Sequence, residues 1–288
     1  MYKISPTLMI KNCNFWNTWA LACYAVSKYG VIVPSGPNYT NNPDYIPPNI
    51  KEITATIEHG PESIKQMLEK ALPPMYPQKQ GVDNYINQLI PGTEEFEHGR
   101  TFHYTYGLRL RELRCPRMSV DNIGECAYSD TCTDICNKYD VKTTKDDIIC
   151  YMDQLEFIAE HLDSFNKRLE ATTVIPEIDL FASICDEMVQ SIPCLRSLKI
   201  ENYYDKYYVI IMRWRSRDLY KAHPYNLVGL INAIDSLIKE KRKEQGKSEL
   251  ELVKIVEFID SLHTYEAELE QAARVPVEAK IINTCLFI

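Results

Sequence analysis

The chain has 288 residues, 45% hydrophobic and 25% charged, the proportions of a folded globular protein long enough to bury a core without disulfides or metals. A formal charge of −8 and a pI near 5.4 exclude a general nucleic-acid or membrane-surface binder, so any phosphate site must be a local group of Arg and Lys. No apolar run reaches the roughly 18 to 20 residues of a membrane span, and the opening MYKISPTLMIKNCNFW lacks a signal-peptide core. Ten cysteines scattered over such a length read as reduced thiols, so a cytoplasmic protein is expected.

Asn14 to Tyr29 is apolar around nearly the whole helical circumference and stops at Gly30, the pattern of a buried helix. Val33 to Asn49, rich in Pro, Asn and Gly, reads as loop. Ile50 to Glu58 reads as a strand that offers Ile50, Ile53, Ala55 and Ile57 for burial. From Cys115 to Asp147 the composition turns polar without a period, an insertion into what is otherwise one domain over residues 1–288. Its cysteines, Cys115, Cys126, Cys132 and Cys136, are spaced by 11, 6 and 4 and lack CxxC knuckles, so no metal site is expected.

Ile148, Met152, Leu155, Ala159 and Leu162 recur at helical spacing. Leu198 to Trp214 is β-branched and tyrosine-rich, two strands broken near Asn202 and Asp205. Leu227 to Ile238 gives the clearest helix, with Asn226 as its possible N-cap, and Val253 to Tyr265 reads as a further strand. Helices and strands that do not alternate strictly predict an α+β fold, with a mixed sheet packed against helices.

The string RWRSRDLYKAHPYN, Arg213 to Asn226, offers a planar guanidinium and a hydroxyl at a strand end, a donor set suited to phosphate. Upstream stands Ile-Pro-Cys194 and downstream Leu262-His263-Thr264-Tyr265. In order and spacing these strings resemble the thymidylate synthase and pyrimidine hydroxymethylase family, closest to its short archaeal-type branch. FHYTYGLRLRE (Phe102 to Glu112) and the stretch from Met152 to Leu180 extend the resemblance over most of the chain outside the insertion.

The resemblance implies a thymidylate synthase-like fold and a homodimer joined through the sheet face, with active sites shared between subunits. Cys194 would add to C6 of a pyrimidine nucleotide, and 5,10-methylenetetrahydrofolate would be the co-substrate that supplies one carbon to C5. A cation beside a thiol raises its thiolate fraction, and Arg215 and Arg196 are the candidates. Arg215 and Ser216 would hold the 5′-phosphate, joined by Lys167 and Arg168 of the partner subunit. His263 and Tyr265, two apart on a strand, would meet the ribose 3′-hydroxyl. Tyr106 would line the substrate site, Asp218 would help order the base, and Glu52 or Asp83 would relay a proton.

Asn226 would read the base. Its carbonyl suits uracil N3–H and its amide suits O4, whereas cytosine hydroxymethylases of the family tend to carry Asp there. The implied reaction is therefore dUMP to dTMP. The alternatives are a dCMP, CMP or dUMP 5-hydroxymethylase, in which water quenches the intermediate, and a nucleotide-binding or assembly protein that has lost turnover. No nucleic-acid or membrane partner is expected.

Overall fold

The β-branched and aromatic runs pair into one large sheet in this computed structural model, which describes residues 6–35, 48–77, 81–99, 105–116, 149–163, 169–174, 193–278 and 286–287. The strands are β1 (Thr7–Cys13), β2 (Val31–Pro34), β3 (Asn49–His59), β4 (Leu113–Pro116), β5 (Ile149–Met152), β6 (Glu170–Thr172), β7 (Leu195–Tyr203), β8 (Tyr207–Asp218), β9 (Glu251–Tyr265) and β10 (Leu286–Phe287). The helices are α1 (Phe15–Tyr29), α2 (Pro61–Leu68), α3 (Val82–Asn87), α4 (Glu94–Gly99), α5 (Tyr106–Arg111), α6 (Gln154–His161), α7 (His223–Glu244) and α8 (Leu269–Glu278). The main sheet runs β10–β1–β3–β9–β8–β7–β6, with β2 also paired to β3, while β4 and β5 pair at the base of the polar insertion. The β1/β3 and β8/β9 pairs are parallel and the rest antiparallel. The fold is thus α+β, an open mixed sheet packed against helices, as expected.

Alternation decides which sheet face the helices cover. Ile53, Ala55 and Ile57 of β3, Ile210, Met212 and Trp214 of β8, and Ile255 and Ile259 of β9 are all buried in one core with α1 and α7. On the intervening positions Val209, Ile211, Val256 and Phe258 are less covered, and Phe258 is 43% exposed. The four predicted β3 positions, Ile50 included, are buried. Among the described residues, no helix is long and apolar enough to cross a membrane.

Local capping explains several boundaries. Asn14 accepts from Asn17 N at 2.8 Å and opens α1, which buries residues nearly all round as its composition implied. The predicted strand break falls at Tyr204 and Asp205, both with positive φ, between β7 and β8. The helix expected from Ile148 is shorter than its periodicity suggested. Asp153 accepts from Glu156 N at 2.9 Å and starts α6 there, which leaves Ile149–Met152 free to pair as β5. Val33, Pro34 and Asn49, expected in a loop, belong to β2 and β3, because Val33 is in register with Ile50 and Pro34 with Asn49. Residues 36–47 between them and most of the polar insertion lie outside the described residues.

Asn226 is not the N-cap of α7. The helix begins three residues earlier, capped by Ala222, with Pro224 in its first turn where a fixed φ and a missing N–H are tolerated. Further along this helix Gly229 occupies an interior position that Ala would favour by about 1 kcal/mol. A Cβ there would stand 2.0 Å from Cδ1 of Tyr85, so the ring lies directly on the helix backbone. Gly229→Ala should therefore lower stability by about 1 to 3 kcal/mol despite its better helix propensity. Urea unfolding midpoints of the variant and the parent check this; an unchanged or raised midpoint would show that Tyr85 gives way freely.

Candidate functional site

Four neighbouring strands bring the candidate residues to one end of the sheet. Glu52 lies near the start of β3, His263 and Tyr265 end β9, Ser216 and Asp218 end β8, and Cys194 immediately precedes β7. Register sets them side by side: Glu52 is opposite His263, His263 is beside Asp218, and Ser216 is beside Ser261. Two register shifts fall at this end, in β9 between Ile259 and Leu262 and in β7 between Leu195 and Ser197. Such irregularities re-aim side chains that a regular pleat would alternate. Leu262, His263 and Thr264 are accordingly buried in succession.

Arg215 joins Cys194 twice. Its backbone N–H donates to the Cys194 carbonyl at 2.8 Å, and its Nη2 approaches the Cys194 Sγ at 4.0 Å. Arg196, the other cation considered for this role, points to solvent. Cys194 is half-buried, whereas Cys23 is sealed in the core, where burial and then the Asp218 charge push its thiol far up. The two thiols thus differ in environment: one is inert packing and one is accessible beside a guanidinium.

The other side chains form a hydrogen-bonded row. The Ser261 hydroxyl donates to Glu52 Oε2, and His263 Nδ1 stands 3.4 Å from both the Ser261 and Ser216 hydroxyls. His263 and Tyr265 project together, their rings 5.5 Å apart. Burial depresses the His263 pKa, only partly opposed by the Ser261 carbonyl and the charges of Asp218 and Glu52. Burial raises the Tyr265 pKa, helped by Asp218 and Cys194. Asp218 turns its carboxylate back on its own backbone, accepting from Tyr220 N at 3.2 Å and Lys221 N at 3.1 Å. It shapes the turn into α7.

A cavity of about 250 Å3 is lined by Tyr85, Gln88, Leu89, Thr105, Tyr106, Gly107 and Asn226. Tyr106 packs edge-on against Trp214, which is in register with Leu195 next to Cys194. A Cβ on Gly107 would meet the Gln88 carbonyl oxygen at 1.9 Å, so only glycine lets these two walls approach. A larger groove, about 550 Å3, opens near Lys206, Leu250 and Asp235, away from these residues. We take the smaller cavity as the candidate site because Asn226 and Tyr106 line it, and Tyr106 packs on Trp214, the residue before Arg215.

Several expected residues have other settings. Asp83 is exposed and paired with Lys70. Lys167 and Arg168 lie outside the described residues, as do Cys126, Cys132 and Cys136. No cluster of three metal-ligating side chains occurs among the described residues. Ser261 was missed by sequence reasoning although it lies two before His263, a spacing that returns a strand to the same side. No protein family matches the chain, and comparison with curated proteins finds no match either.

Behind the row, His223 is wholly buried and its pKa is lowered, by burial first. For His223 and His263 alike, the unfolded chain binds protons near pH 6.5 that the folded state resists. Their contribution to stability is full above about pH 6.5 and is lost as pH falls through the folded values. Melting temperature should therefore fall from pH 7 to pH 5, and fall less in His223→Gln. An equal drop in both proteins would remove His223 from this account.

Proposed function

We propose that the chain is a cytoplasmic, homodimeric, thymidylate synthase-like enzyme that transfers one carbon to C5 of a pyrimidine nucleotide, most simply dUMP. The observation that supports this best is Arg215 Nη2 at 4.0 Å from Cys194 Sγ, with Ser216, His263 and Tyr265 at the same strand ends. A thiol beside a guanidinium and two hydroxyl-bearing neighbours suits a covalent step on an anionic nucleotide.

In this reading Cys194 Sγ adds to C6 and the C5–C6 electron pair moves toward O4, making C5 nucleophilic. C5 would bond to the folate methylene carbon and lose its proton as the folate nitrogen leaves. Hydride, or water in a hydroxymethylase, would then add to the exocyclic methylene as the thiolate departs and C5–C6 unsaturation returns. Methylenetetrahydrofolate would supply the carbon and, for thymidylate, the hydride. Arg215 holds charge near both sulfur and phosphate, and Ser216 adds a hydroxyl. His263 and Tyr265 meet the ribose. The Glu52–Ser261 pair is positioned to move a proton, and Asn226 with Tyr106 bounds a cavity suited to a flat ring.

The sheet face carrying Val256, Phe258 and Ile211 gives a second copy an apolar surface to cover. That copy would bring Lys167 and Arg168 to the phosphate. The corresponding fold is that of the thymidylate synthases, dimerised through this face.

Cys194→Ser should abolish tritium release from C5-labelled dUMP while dUMP affinity stays within a few-fold. Product masses after incubation with dUMP, dCMP or CMP and methylenetetrahydrofolate separate a methyl gain, a hydroxymethyl gain and no reaction. Tritium release undiminished by the serine variant would end the covalent mechanism.

Asn226→Asp tests the base reading. An ionised carboxylate offers only acceptors, leaving uracil O4 without a donor at roughly 1 to 3 kcal/mol, about 5- to 150-fold in preference. The ratio of dUMP to dCMP turnover should fall accordingly. A wild-type preference for cytosine, or a ratio unmoved by the substitution, would refute uracil selection by Asn226.

A further inference from the structure

Behind the candidate site runs a polar chain sealed in the core. Glu257 of β9, His59 at the end of β3 and His223 at the start of α7 each have no solvent exposure. Glu257 Oε1 stands 3.0 Å from His59 Nε2 and 2.9 Å from His223 Nε2, and His59 Nδ1 is 2.9 Å from the Ser63 hydroxyl. Among the described residues, Glu257 Oε2 and His223 Nδ1 have no hydrogen-bond partner. Apolar residues of similar volume would fill this space without stranding either atom, so stability alone does not account for the arrangement.

What the chain touches suggests its role. Ala222 caps α7 without a side-chain hydrogen bond, so the first turn depends on ties from elsewhere in the fold. One is the His223 ring on Glu257. A second is Arg217 Nη2, which donates to the His223 carbonyl at 3.1 Å, and a third is the Tyr225 hydroxyl, which donates to the Gly81 carbonyl at 2.6 Å. Asn226 follows His223 by three residues, on the same helical face one turn along. Rotation or fraying of this turn moves Asn226 directly, and hydrogen bonds to a base edge tolerate little displacement.

We infer that Glu257 is a positioning residue: by holding His223 it fixes the first turn of α7 and so aims Asn226 at the base. The inference rests on the pyrimidine-nucleotide reading of the site. Glu257 touches no substrate in that reading. His59 is the second arm of the same carboxylate but belongs to β3, and it has no part in aiming Asn226.

The test compares Glu257→Gln with His59→Asn. Binding of dUMP and of 2-deoxyribose 5-phosphate, which lacks the base, is measured by calorimetry. Amide hydrogen exchange over residues 223–226 is measured in the unliganded proteins. Glu257→Gln should weaken dUMP about tenfold, leave deoxyribose phosphate within twofold, and speed exchange in the first turn relative to the rest of α7. His59→Asn should lower the melting temperature yet keep dUMP affinity within twofold.

If Glu257→Gln does not fold, His223→Gln, which keeps a donor for Glu257, should retain dUMP binding that His223→Leu loses. Equal loss of both ligands in Glu257→Gln, or unchanged exchange together with unchanged dUMP affinity, overturns the inference. So does matching loss of dUMP binding in the His59 variant. If the wild type binds neither ligand, the nucleotide reading fails, and the exchange comparison alone decides whether Glu257 fixes the turn.

Discussion

The site depends on how firmly the link between β8 and α7 is held. Two of its carbonyls, and that of His223 where α7 begins, are each taken by a buried side chain from a different part of the fold. Trp19 Nε1 donates to Leu219 O at 3.0 Å, the Tyr76 hydroxyl donates to Lys221 O, and Arg217 donates to His223 O. Asp218 accepts two amides of the same link, and Leu219 N donates to the His263 carbonyl. A connection of this kind ordinarily lies in water and moves. Here α1, the segment after α2, and strands β8 and β9 immobilise it, so Ser216 and Asn226, on either side of it, keep a fixed relation.

That constraint shows why a cationic side chain lies in the core. Arg217 is 1% exposed, and its guanidinium carbon stands 3.6 Å from the centre of the Trp214 ring. The ring face offsets part of the charge's desolvation, and the His223 carbonyl accepts one of its donors. Glu257 nearby has the opposite sign. Burial opposes its charge, but the imidazoles of His223 and His59 outweigh burial and hold its pKa below the usual carboxylate range. Charge is thus kept inside where it fixes backbone geometry.

The topology supplies the remaining order. Because β8 and β9 are parallel and joined by α7, both strands end where that helix begins, so two strand ends and a helix N-terminus meet. Antiparallel pairing adds the start of β3 on one side and the start of β7 on the other. Residues from four strands therefore converge although the strands themselves, from Glu52 of β3 to His263 of β9, are spread along the sequence. Register shifts in β7 and β9 at this end break the pleat, and an uninterrupted alternation would divide these side chains between two faces.

Much of this was legible in the sequence. Apolar spacing marked α1, β3, the β7–β8 pair, α7 and β9, because burial of one face imposes a period that composition preserves. Residue types also identified Cys194, Arg215, Ser216, His263, Tyr265 and Asn226 as chemically able, and their order carried the family resemblance. Local pattern misjudged the start of α7 and the length of α6, where Pro224 and the Asp153 cap outweigh periodicity. Tertiary structure alone selected Arg215 over Arg196 beside Cys194, joined Glu52 to His263 through Ser261, and set Asp83 on the surface. It also assembled His59, Glu257 and His223, up to 198 residues apart, into one buried chain. Sequence determines which side chains have the chemistry and which faces seek burial; strand register and helix packing decide which of them meet, because those contacts join residues too distant in the chain to leave a local pattern.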